Sequence, residues 1–155
     1  MKHRIRAAGL LVSGDKLLLA LEKIEATGKE FWIPPGGGLE AEDGSVTGCV
    51  RREFLEETGL SVKVGSLIYI REFAETSRET HHLEMFFRVH QTDGHLHQMD
   101  QNDPPLGSDL KRYARWFTQE ELQTVDVAPR ELRDTFWTEM LAGLSQARYL
   151  GVSIE

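Results

Sequence analysis

A glycine-rich turn that runs into an acidic helix is the feature that most restricts this chain. Pro34-Pro35-Gly36-Gly37-Gly38-Leu39-Glu40 is followed, a short distance on, by Arg52-Glu53-Phe54-Leu55-Glu56-Glu57-Thr58-Gly59-Leu60. Helical residues turn by about 100° each, so positions i, i+3 and i+4 share a face. Counted from Val46, the apolar residues Cys49, Val50 and Phe54 form one stripe, and Glu53 and Glu57 fall inside it. Carboxylates on an inward stripe lose hydration and repel one another. A divalent cation removes the conflict, because hard oxygen ligands suit Mg²⁺ and this ion commonly takes phosphate oxygens as further ligands. The segment therefore points to a metal–phosphate site.

Size and composition narrow the class. A chain of 155 residues fits one domain spanning 1–155 with a real core. Its 40% hydrophobic and 28% charged residues are ordinary globular values. A net charge of −7 argues against a nucleic-acid partner, which needs a basic surface to displace counterions. It leaves room for a small phosphorylated ligand, since a bound metal supplies positive charge. The single cysteine, Cys49, has no partner for an internal disulfide and reads as a buried thiol on the apolar stripe. Met1-Lys2-His3-Arg4-Ile5-Arg6 leads into a strand-like run rather than a targeting segment, and no apolar run approaches a membrane span. A cytoplasmic protein with no membrane partner is the expectation.

The apolar runs Ala7–Val12 and Lys16–Leu21 flank Ser13-Gly14-Asp15 and read as a hairpin. Phe31-Trp32-Ile33 is a short buried strand stopped by Pro34-Pro35. Within Asp43-Gly44-Ser45 either end can cap the helix that starts near Val46, and Gly59 closes it. Ser61–Phe73 and His82–His90 read as strands joined by a polar loop, Ala74–His81. Gln91–Leu110 reads as a long surface loop and Arg112–Phe117 as a strand. Thr118 caps a short helix through Leu122, and Arg130–Leu144 reads as a longer amphipathic helix. Strands alternating with three helices predict an α/β fold with one sheet covered on both faces. The apolar C-terminal helix and the outward strands permit a homodimer without requiring one.

Individual residues take provisional roles. Glu53 and Glu57 are the candidate direct metal ligands, with a glycine carbonyl such as that of Gly38 as a neutral third ligand. Glu56 lies roughly 100° behind Glu57, placed to complete the coordination or to deprotonate a bound water. Arg52 stands at i,i+4 from Glu56 and can fix its direction. Arg71, beside Glu72 ahead of the polar loop, is a candidate for substrate phosphate or ribose. Glu84 is a second candidate base, although its alternation with apolar neighbours reads more simply as outward. Trp32, Tyr69, Phe73 and Trp116 can stack on a base, with core packing the simpler reading for Trp32 and Trp116. His81, His82, His90, His95 and His97 read as solvated loop histidines rather than a zinc set, because no thiolate lies near.

Residues 38–60 resemble the Nudix hydrolase signature, Gly-x5-Glu-x7-Arg-Glu-(aliphatic)-x-Glu-Glu-x-Gly-(aliphatic). Arg52, Glu53, Glu56, Glu57, Gly59 and Leu60 match its second half, and Phe54 fills an aliphatic slot. Gly38 lies at the family spacing from Arg52. One position departs. Counted back from Arg52, the first glutamate falls on Gly44; counted forward from Gly37, it falls on Asp43 with one residue inserted before Arg52. The resemblance implies an α/β/α sandwich with a mixed sheet. It also implies Mg²⁺ or Mn²⁺ held by Glu53, Glu56 and Glu57, and hydrolysis of a nucleoside diphosphate linked to another moiety. ADP-ribose, a nucleotide sugar and a nucleoside triphosphate are the candidate types. Gly44 is the sole support for the alternative, a nucleotide-binding regulatory module that hydrolyses nothing.

Overall fold

The computed structural model describes residues 1–24, 27–96, 113–143 and 146–154. Among the described residues there are eight strands: β1 (Lys2–Ser13), β2 (Lys16–Lys23), β3 (Glu30–Ile33), β4 (Gly36–Gly38), β5 (Leu60–Glu75), β6 (Thr80–Gly94), β7 (Ala114–Thr118) and β8 (Arg148–Ile154). Two α-helices accompany them, α1 (Val46–Thr58) and α2 (Thr135–Leu141). The sheet runs β3-β2-β1-β6-β5-β8, with β4 beside β1 and β7 beside β2. It is mixed: β1 runs parallel to β6 from Lys2↔Thr80 to Leu11↔Val89, whereas β5 and β6 are antiparallel.

Each face of the sheet carries its own core. On one, Cys49, Val50 and Phe54 of α1 pack with Ala7, Leu11, Leu18, Phe87 and Val89. On the other, Phe136 of α2 and Leu132 pack with Ala8, Leu10, Tyr69, Phe86 and Phe117. Alternation along β1 sends odd and even residues to opposite faces, which is why Ala7 and Ala8 sit in different clusters. The result is the expected α/β/α sandwich.

Several boundaries differ from the sequence expectation. Half of the loop predicted over Ala74–His81 is strand, because the polar ends of β5 and β6 pair up to a tight 3-10 turn at Thr76–Arg78. The helix predicted over Arg130–Leu144 divides into a 3-10 turn, Arg130–Arg133, and the short α2, with Asp134 capping the latter. The helix predicted after Thr118 is a 3-10 turn at Glu121–Thr124. So two α-helices form among the described residues, not three. β4 and β8 were not expected. Residues 91–94 of the predicted loop belong to β6, and the rest of that expectation from residue 97 onward, with the predicted strand start at 112, lies outside the described residues.

Candidate active site

Helix α1 begins where the Ser45 hydroxyl accepts a hydrogen bond from the Gly48 N–H at 3.0 Å, and ends at Gly59 in the left-handed region. A serine cap of this kind contributes about 1 kcal/mol. The stripe inferred from sequence faces the sheet: Cys49, Val50 and Phe54 are fully buried, with Glu53 and Glu57 only 8% and 2% exposed. What lies opposite the two carboxylates is the backbone of β4, pinned to β1 in the register Ala7↔Gly37 and Arg6↔Gly38. The Gly36 N–H donates to Glu57 Oε2 at 3.1 Å. A Cβ on Gly37 would collide with the Glu53 carboxylate, so only glycine lets that carboxylate lie against the strand.

Arg52 ties the site together. Its Nη1 donates to Glu53 Oε1 at 2.9 Å and to Glu56 Oε2 at 3.4 Å, and its Nη2 donates to the Gly38 carbonyl at 3.1 Å. It also binds Asp43, with Nε on Oδ1 at 2.6 Å and Nη2 on Oδ2 at 2.9 Å. Those hydrogen bonds hold the Asp43 carboxyl down to about 2. The same bonds push the Arg52 guanidinium further above its already high value. Burial pushes the neighbouring Cys49 thiol up to about 11, which keeps it protonated and unreactive.

The departure from the signature is thereby given a geometry. Asp43 closes a 3-10 turn, Ala41–Asp43, and its Oδ2 also accepts from the Glu40 N–H at 2.9 Å. Gly44 follows with φ +73 and nothing near its Cβ position. The carboxylate that faces Arg52 is thus Asp43, as in the alignment counted forward from Gly37, and Gly44 is a left-handed residue that absorbs the insertion.

A family model described as NUDIX domain matches residues 2–136. The chain belongs to the NUDIX family. Membership places it among hydrolases acting on pyrophosphate bonds. Among solved structures, a NUDIX hydrolase from Nitrosomonas europaea is 25% identical, covers 96% of this chain and 93% of its own, and superposes with a TM-score of 0.69. The E. coli ORF135 protein shares 23% identity over 94% of this chain and 96% of its own, with a TM-score of 0.69. An ADP-ribose pyrophosphatase from Streptococcus suis shares 16% identity over 97% and 98%, with a TM-score of 0.57. The last two likenesses concern the fold. A comparison with curated proteins found no match.

The donor set fits a hard divalent cation. Glu53, Glu56, Glu57 and the glycine carbonyls offer only oxygen, which suits Mg²⁺ or Mn²⁺ rather than a thiophilic ion. Among the described residues no three acidic, imidazole or thiol groups converge as a ready-made cage. The glutamates are held instead by Arg52 and by the Gly36 N–H. Mg²⁺ characteristically binds one or two carboxylates plus substrate phosphates and keeps waters, so an open half-site is the arrangement that suits it.

The other sequence candidates lie elsewhere. Glu84 is not outward: it is 5% exposed, on the sheet face away from α1. Its Oε1 accepts from Arg71 Nε at 3.0 Å and Nη2 at 2.9 Å, and its Oε2 from Arg6 Nε at 3.2 Å. Both of its oxygens are thus engaged by guanidinium groups. Arg71 shares that far face. Trp32 and Tyr69 are core residues, Trp116 packs half-buried against the α1-side core, and Phe73 stacks on His82. His81 bonds Glu72 and His82 bonds Glu75. Arg4 and Arg6 went unnoticed in the sequence, although their period-2 spacing with Ala8 marks one strand face.

Proposed function

We propose that this chain is a Mg²⁺- or Mn²⁺-dependent pyrophosphohydrolase that cleaves a nucleoside diphosphate linked to another moiety. The observation that supports this most is the pair of buried carboxylates, Glu53 and Glu57, facing the bare backbone of β4. Glu53, Glu56 and Glu57, with the Gly38 carbonyl, would hold the cation. When bound, it would neutralise charge on the anhydride oxygens as water attacks phosphorus.

The remaining work belongs to the chain itself. Glu56 is our candidate base: its side chain is 35% exposed, so water can reach it, and Arg52 orients it from 3.4 Å. Arg52, anchored by Asp43, fixes Glu53 and Glu56 in one geometry and spreads its charge between them. Arg71 would bind the substrate, and Glu84 would hold Arg71 in place from behind. The Asp43 carboxylate on Arg52 supports hydrolysis over a silent regulatory module, whose support was Gly44. We further read residues 1–155 as one domain, acting in the cytoplasm on a small nucleotide, with homodimerisation permitted. Among the described residues no helix is long and apolar enough to cross a membrane.

The test is a panel of ADP-ribose, nucleotide sugars, dinucleotides and nucleoside triphosphates, incubated with Mg²⁺ and with wild type or Glu57→Gln. The expected result is a nucleoside monophosphate product from at least one class that disappears in the variant. No product from any class, or equal product from Glu57→Gln, would overturn the proposal.

A further inference from the structure

The far face of the sheet, directly behind β4, carries an imbalance of charge that the hydrolytic site does not explain. Register places Arg4, Arg6 and Ala8 of β1 beside His82, Glu84 and Phe86 of β6, and these beside Phe73, Arg71 and Tyr69 of β5. Ala8, Phe86 and Tyr69 belong to the α2-side core, so the whole strip lies on that face. Arg6 and Arg71 have side chains only 14% exposed, and among the described residues both pair with one carboxylate, that of Glu84. Among those residues, two largely desolvated guanidinium groups against one carboxylate leave a net positive charge where burial makes it costly. Arg4, which is exposed, adds a further positive charge, with no ion pair among the described residues. Its guanidinium lies against the Cα of Gly38, whose carbonyl accepts from Arg52. Adjacent glycines of one strand thus face opposite groups, Gly37 the Glu53 carboxylate and Gly38 the Arg4 guanidinium.

A second feature of the strip is unsatisfied. His82 is buried, stacks on Phe73 with ring centroids 4.2 Å apart, and sets Nε2 at 3.1 Å from Glu75 Oε2. Its Nδ1 is buried with no hydrogen-bond partner among the described residues. A polar atom left so costs free energy unless a ligand supplies the missing bond.

We propose that Arg4, Arg6 and Arg71, bordered by His82, form a phosphoryl-binding subsite for a phosphate that the substrate carries outside the scissile anhydride. Guanidinium groups match phosphate oxygens with charge-assisted, bidentate geometry, and a dianion cancels the surplus charge. An uncharged base or sugar would leave that surplus in place. Glu84 is a positioning residue here: it turns Arg6 and Arg71 toward each other and leaves their outer N–H groups for the ligand. The phosphate can belong to a ribose or to a longer phosphate chain. The identity of the substrate that brings it rests on the pyrophosphohydrolase reading; the subsite itself does not.

Calorimetry on the whole protein in EDTA, which silences the metal site, decides the matter. The probes are AMP, adenosine 2′,5′-bisphosphate, adenosine 3′,5′-bisphosphate and ATP, whose γ-phosphate lies outside the α–β anhydride. The expected result is that a phosphate beyond the first tightens binding over AMP by about tenfold or more. A gain with either bisphosphate assigns a ribose phosphate, and a gain with ATP alone assigns the chain. In Arg4→Gln and Arg6→Gln that gain shrinks toward one, with AMP binding as the internal reference for folding. Equal affinity for all four nucleotides, binding of none, or a gain undiminished in both variants would overturn the proposal. A protein that hydrolyses nothing yet discriminates these probes would uphold the subsite and sink the hydrolytic reading; the reverse pattern would do the opposite.

Discussion

Replacing Asp43 by alanine tests whether the insertion at Gly44 truly leaves the site its arginine anchor. Asp43 accepts three hydrogen bonds, two from Arg52 at 2.6 and 2.9 Å and one from the Glu40 N–H at 2.9 Å. Hydrogen bonds to charged groups contribute about 1.5–3 kcal/mol each when buried. Arg52 is 23% exposed and keeps Glu53 and the Gly38 carbonyl as partners, so solvent and the surviving bonds reduce the loss. We expect Asp43→Ala to lose about 2–3 kcal/mol, which is about 4–12 °C in Tm for a chain of this size. The sign with pH follows. Asp43 titrates at about 2 in the folded protein, below its unfolded value of about 3.9. Its contribution is therefore complete above about pH 4 and disappears as the pH falls through about 2. Urea unfolding of wild type and variant at pH 7 and near pH 2.5 measures both quantities. A loss below about 0.5 kcal/mol at pH 7, or a difference that does not shrink in acid, would refute the reasoning.

Other outcomes can be checked with the same protein. Gly37→Ala puts a methyl group into the Glu53 carboxylate; it should cost about 1–3 kcal/mol by overpacking and reduce kcat/KM together, seen by thermal unfolding and steady-state kinetics. Phe54→Ala empties a fully buried position between α1 and the sheet and should cost about 3–5 kcal/mol in urea unfolding. Glu53→Gln and Glu57→Gln should keep the fold by circular dichroism while lowering kcat/KM by about 100-fold or more and raising the Mg²⁺ needed for half-saturation.

The sheet face of α1 was legible because Cys49, Val50 and Phe54 repeat at helical spacing and two glutamates interrupt that repeat. The cap at Ser45 and the stop at Gly59 were legible for the same local reasons. β4 was not, since three glycines carry no side-chain pattern and become a strand only by pairing with β1. β8 was hidden too: it lies at the sheet edge, mostly exposed, with Gly151 at φ +93 breaking its alternation. The ends of β5 and β6 read as loop because the stretch Ala74–His81 is polar, yet its Glu75 and His81 bond His82 and Glu72 across the pair. Glu84 looked outward because its partners, Arg6 and Arg71, come from other strands, one of them 78 residues away. Local period sees a neighbour in sequence but not the counter-charge that makes burial tolerable.

The central claim, that the inward glutamates of α1 grip a divalent cation, is met most directly by titrating Mn²⁺ into metal-free protein at neutral pH. Calorimetry should show uptake by wild type, strengthened when a nucleoside diphosphate is present, and largely abolished in Glu53→Gln and Glu57→Gln. Heat-silent titrations under both conditions, or uptake unchanged in the two variants, would contradict it.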